Sequence, residues 1–169
     1  MAGKNGVSLN WGGFDKALSE AAHKLADRQA LMDSIGEALV SGTLKRFDAE
    51  EEPTGKKWKP SARAAAEGGK TLTDEAFLRR SIDYAATPDK VMVGSNLPYA
   101  RIHQEGGKTS PHVIRPKRKK ALAFGGIVRK KVNHPGSDIP ARPYLGVSKE
   151  DMEEVRETMA DFLAGAFKA

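Results

Sequence analysis

Apolar residues recur along the first part of the chain at spacings of three, four and seven: Phe14, Leu18, Ala21, Ala22, Leu25, Met32, Ile35 and Leu39. That period gathers them into one stripe and predicts a long amphipathic helix over 14–47, packed on its own sheet or on a neighbouring subunit. The opposite face carries Lys16, Glu20, Lys24, Asp27, Arg28, Asp33 and Glu37, the mixed charge of a solvated surface. Residues 1–13, rich in Gly and Asn, are expected to form a flexible N-terminus. Between 48 and 70 the period is lost, and Pro53, Gly55, Pro60, Gly68 and Gly69 stand among charges, which predicts a long loop arm.

Beyond that loop the period changes. Leu78, Ile82 and Tyr84 lead into a strand, Thr87-Pro88-Asp89 turns it, and 90–94 returns antiparallel to it. Residues 95–98 turn the chain again. Pro98, with its fixed φ, fits the first position of a short helix carrying Tyr99, Ala100, Ile102 and His103, which Gly106-Gly107 closes. His112-Val113-Ile114 is a short extended piece, and two further runs flank Gly125-Gly126, a pair suited to a two-residue turn because both accept positive φ. This predicts a hairpin over 115–132 with its basic residues away from the turn. A C-terminal helix starts at Ser148, with Glu150 and Asp151 in its first turn and an apolar stripe of Met152, Val155, Met159, Phe162, Leu163 and Ala166. Two long helices bracketing an antiparallel sheet of about four to five strands make an α+β fold. A single domain over 14–169 is expected.

Composition narrows the chemistry. Lys and Arg number 28 against 22 Asp and Glu, a net charge of +6, and the chain has no cysteine. Disulfides, thiolate metal sites and thiol nucleophiles are therefore excluded, and partners of negative potential are allowed without being required. No apolar run reaches the length of a membrane span, so no membrane partner is expected. The four histidines, at 23, 103, 112 and 134, are too scattered for a His-x-x-x-His zinc pair. Gly69-Lys70-Thr71 and Gly107-Lys108-Thr109 imitate the end of a phosphate-binding loop, but Ala64 and Ile102 occupy the position where its first glycine is required. No residues pair a nucleophile with a base. The chain reads as a non-enzyme without cofactor or metal.

Three short stretches carry a resemblance. Tyr99-Ala100-Arg101-Ile102-His103-Gln104, following Val91-Met92-Val93-Gly94, resembles a signature of the phage virion morphogenesis family, the tail-completion and head–tail joining proteins of Mu-like tailed phages. Pro140-Ala141-Arg142-Pro143-Tyr144-Leu145-Gly146 resembles that family's second signature, and Pro53-Thr54-Gly55-Lys56-Lys57-Trp58 its Pro-x-Gly-x-x-Trp element. One departure stands out: Glu75-Ala76 occupies the place of the family's usual Thr-Gly, which favours a short helical turn over a positive-φ glycine turn.

The resemblance implies a structural virion protein that completes the tail or neck and allows stable head–tail joining, as an oligomeric ring. Implied partners are further copies of itself, tail-tube or tail-terminator proteins, head-connector proteins and, transiently, packaged DNA. The implied location is the tail or neck of the virion, and the host cytoplasm during assembly. Candidate assembly residues are Trp58, Tyr99, His103, Gln104, Arg142, Pro143 and Tyr144. Trp58 is expected to anchor the loop to the body or to a partner. His103 would otherwise be a buried residue bonded to backbone, Gln104 a cap on a strand edge, and Arg142 an ion-pair partner of Glu105 or Asp138. Inter-ring or DNA contacts are expected from Lys117, Arg118, Lys119, Lys120, Arg129, Lys130 and Lys131, unless these merely keep a pair of edge strands soluble. A capsid-assembly factor, a basic nucleic-acid-binding protein and, more distantly, a packaging hydrolase are the alternative readings.

Overall fold

The computed structural model describes residues 27–117, 120–124 and 126–166; the predicted elements within 1–26 lie outside this range, as do Arg118, Lys119 and Gly125 of the hairpin. The architecture is α+β. In chain order the elements are α1 (Arg28–Ala49), α2 (Ala62–Glu67), α3 (Phe77–Arg80), β1 (Ile82–Thr87), β2 (Lys90–Ser95) and α4 (Ala100–Glu105). Six short strands follow, β3 (Gly107–Lys108), β4 (His112–Ile114), β5 (Leu122–Phe124), β6 (Ile127–Arg129), β7 (Val132–His134) and β8 (Asp138–Ile139), and α5 (Lys149–Ala166) ends the described chain. The strands form four two-stranded pieces, β1–β2, β3–β8, β4–β7 and β5–β6, where one sheet of four to five strands was expected.

The described residues fall into two compact units. The first holds 27–44, 82–94 and 147–166. In it α1 buries Ile35 and the two glycines Gly36 and Gly42, and β1 buries Ile82. Small residues are required there: a Cβ on Gly36 would run into the Tyr84 ring, and one on Gly42 into the Asp151 carboxylate. Close approach through glycine, more than a broad apolar stripe, sets this face of the helix. α5 starts as expected, with Ser148 Oγ accepting from Asp151 N (3.1 Å) and Asp151 Oδ2 accepting from Ser148 N (2.8 Å), a reciprocal cap. Its expected stripe divides in two. Val155 and Phe162 are partly buried, whereas Met152, Met159 and Leu163 are exposed.

The second unit holds 45–81 and 95–146. Its core is a cluster of three aromatics: Phe47, Trp58 and Tyr144, all buried, with the Phe47 ring centroid 5.5 Å from Trp58 and 5.2 Å from Tyr144. Each contributes roughly 2–3 kcal/mol through burial of its apolar area. The loop expected over 48–70 is more ordered than its composition suggests. A bridge pairs Glu51 with Lys57, Gly55 turns at φ 84°, and Ala62–Glu67 is helical. Alanine is the best helix former, and Ser61 caps this run by accepting from Ala64 N at 3.1 Å. At Glu75-Ala76 the expected helical turn is replaced by the positive-φ turn it was set against: Ala76 takes φ 58° without being glycine, and the helical turn α3 begins only after it, at Phe77.

Candidate functional site

The elbow at 95–107 starts from serine hydroxyls. Ser95 Oγ lies 2.6 Å from Ser81 Oγ and accepts from Leu97 N at 3.2 Å, which turns the chain out of β2. Pro98 and Tyr99 form a turn ahead of α4, so the helix begins at Ala100 with Tyr99 as its N-cap rather than at Pro98 as expected. α4 ends at Gly106, with φ 75° and a Cβ position only 2.8 Å from Ala141 N. Only glycine suits both conditions, so the 140–146 segment can lie directly against the end of α4.

That segment is fastened almost wholly through backbone. Gln104 Oε1 accepts from Tyr144 N (2.9 Å) and Leu145 N (3.0 Å), and its Nε2 donates to Leu145 O (3.0 Å). One side-chain amide thus serves three backbone groups of an irregular segment, where the cap of a strand edge was expected. Tyr144 Oη donates to Ala100 O at 3.0 Å, and burial raises the pKa of this phenol. Trp58 Nε1 donates to Pro143 O at 2.9 Å, so Trp58 docks its loop on the protein's own second unit. Arg46 adds Nε to Tyr144 O (2.9 Å) and Nη2 to Gly146 O (3.1 Å). The sequence reading passed over Arg46; its one signal was a cation in the last turn of a helix, which ordinarily reads as a dipole partner.

Arg142 differs from its sequence-based reading. Its Nε donates to Lys59 O (2.8 Å) and its Nη2 to Pro60 O (3.4 Å), while its own N–H bonds His103 O at 2.8 Å. Glu105 pairs instead with Arg101, and Asp138 with Lys108. The planar guanidinium is well suited to gathering carbonyls of an irregular loop, and its burial lowers its pKa. His103, expected to bond backbone, has a buried Nδ1 with no hydrogen-bond partner among the described residues. Desolvation, and then the charge of Arg142, lower its pKa, which favours the neutral ring. Tyr99 packs edge-on against it, centroids 5.9 Å apart. Tyr99, His103 and Arg142, with Ser61, Leu72 and Phe77, line an open cleft of about 490 Å³.

The basic hairpin is longer than its sequence suggested. β3–β8, β4–β7 and β5–β6 nest one inside the next as three separate antiparallel pairs, so 107–139 forms an interrupted ribbon in which 115–121 lies against only 130–131 between the inner two pairs, with Phe124 opposite Ile127 at the turn. Lys117, Lys120, Lys130 and Lys131 are exposed within the gap between the β4–β7 and β5–β6 pairings, and Arg129 is exposed at its edge. His112 and His134, paired across strands, stack at 5.0 Å. Among the described residues no group of three or more His, Asp or Glu is placed to hold a metal ion, and no helix is long and apolar enough to cross a membrane.

Backbone held by fixed polar side chains, together with an exposed cationic ribbon, describes a protein whose described surfaces suit assembly. The chain belongs to the phage virion morphogenesis family, whose profile matches residues 9–164. It is 30% identical over 146 residues to Mu-like prophage FluMu G protein 2 of Haemophilus influenzae, covering 86% of each chain. It is 28% identical over 161 residues to the putative capsid assembly protein G of Escherichia phage Mu, covering 90% of this chain and 89% of that one. No solved structure matches it. Its role lies in the structure or assembly of a phage virion.

Proposed function

We propose that this protein completes the tail or neck of the virion so that head and tail join stably, and that it does so as an oligomeric ring, without catalysis. Family membership supports the reading. The observation that carries it is the ribbon over 107–139, whose strands β4 and β6 are exposed along their whole length and which carries seven exposed cations among the described residues. A two-stranded ribbon alone in water is marginal, so a surface of this kind is best explained by a partner that covers it. The candidate partners are further copies of this chain, a tail-tube or tail-terminator protein, a head-connector protein and the packaged DNA. Trp58 and Arg142 serve a different purpose: they fasten 53–60 to 140–146 and so give the ring subunit a rigid body.

The test is complementation of a phage or prophage lacking this gene. Replacing Lys117, Arg118, Lys119 and Lys120 with alanine is expected to reduce infectious titre by impairing head–tail joining. Unchanged titre and virion stability would overturn the assignment of the ribbon to that contact. A second reading, a capsid-assembly factor, is favoured by the name of the phage Mu relative. It predicts empty or unexpanded shells in the absence of the gene.

A further inference from the structure

We infer that the ribbon of one copy docks on the outward face of α5 of a second copy. This rests on the proposed oligomer and names the surfaces that build it. From 110 to 137 the chain has eight Lys or Arg and no Asp or Glu, whereas 149–166 has six Asp or Glu against two Lys or Arg. The ribbon also exposes Val113, Ile114, Ile127 and Val128, the last at 64%. Around α5 the exposed apolar residues are Val147, Met152, Met159 and Leu163. Met152, Met159 and Leu163 are spaced seven and four apart, which puts them on one solvent-facing row of the helix, with Arg156 in the same row. Glu153 and Glu157, both exposed, form a row beside it. A groove of about 410 Å³ opens at the start of this face, lined by Val147, Met152, Glu153 and Arg156 among others.

The two surfaces complement each other: both expose apolar side chains, and the exposed charge of α5, Glu150, Glu153, Glu157 and Asp161 against Lys149 and Arg156, is net negative where the ribbon has only cations from 110 to 137, although Arg156 lies in the apolar row itself. A phosphate backbone would satisfy the lysines but would leave Val113, Ile114, Ile127 and Val128 in water, which is why a protein surface is favoured over DNA. Arg115, Lys117, Lys120, Arg129, Lys130, Lys131, Glu153, Glu157 and Asp161 have no ion-pair partner among the described residues. Because the two patches differ, the contact is heterologous, and its repetition generates a ring when the rotation closes.

The absence of cysteine makes a direct test simple. Val128→Cys and Met159→Cys, each exposed, are purified separately, mixed and oxidised. A mixed covalent dimer is expected, and a double variant should give a ladder of covalent multimers. In parallel, Glu153→Lys/Glu157→Lys and Lys117→Glu/Lys130→Glu are each expected to weaken self-association in sedimentation by about tenfold or more, with recovery when the two pairs are combined in one chain. No mixed dimer, a crosslink confined to single chains, or reversals that leave sedimentation unchanged would overturn the inference. So would a salt-steep DNA affinity lost on ribbon reversal while sedimentation is unaltered, which would assign the ribbon to nucleic acid. The functional reading fails separately: it falls when a lysate lacking the gene contains normal virions, whatever the crosslinks show.

Discussion

Ala76 holds φ at 58°, a conformation that costs an L-residue about 1–2 kcal/mol relative to glycine. Ala76→Gly is therefore expected to raise stability by about 1 kcal/mol in urea unfolding, despite the extra freedom glycine gives the unfolded chain. Gly106 is the opposite case, with φ 75° and Ala141 N 2.8 Å from where a Cβ would stand. Gly106→Ala should cost about 2–4 kcal/mol by the same measurement, combining backbone strain with a clash against main chain. His103 adds a pH dependence. Its folded pKa lies below the ordinary value of 6.5, lowered by desolvation and then by Arg142, so below that value the unfolded chain binds the proton more readily. Its contribution to stability is complete above pH 6.5 and is lost as pH falls toward the lowered folded value. His103→Gln should flatten that part of the stability–pH curve, and an unaltered curve would contradict the assignment.

At the scale of elements, the fastening of 48–70 to the second unit depends on Trp58, which is buried against Phe47 and bonded to Pro143 O. Trp58→Ala is expected to cost about 3–5 kcal/mol and to expose 50–70 to limited proteolysis at an early stage. The Pro-x-Gly-x-x-Trp spacing pointed to Trp58 in the sequence, and alternation with turn residues located β1, β2 and the hairpin closely. The helix over 62–67 was hidden because proline and glycine on either side made the whole stretch look structureless, although Ser61 and three consecutive alanines were its signal. Gly36 and Gly42 were unreadable as core because a glycine is buried for what approaches it, and that partner comes from 84 or 151. Likewise the bonds of Arg142 to Lys59 O and Pro60 O span more than eighty residues, beyond the reach of any local pattern.

At the scale of the whole molecule, the second unit is tied together by backbone carbonyls gathered on Gln104, Arg46, Arg142 and Trp58, while its ribbon is left exposed. That division suits a subunit whose partners are met through one cationic, partly apolar arm. The signature residues were legible as a set in the sequence, but their separate work was not: Trp58, Gln104, Arg142 and Tyr144 bond backbone through their side chains, whereas Tyr99 and His103 line the cleft. The central claim is that the protein acts where head meets tail. Electron microscopy of a lysate from a phage or induced prophage lacking this gene tests it most directly. Filled heads beside unattached tails are the predicted result, and normal infectious particles would contradict it.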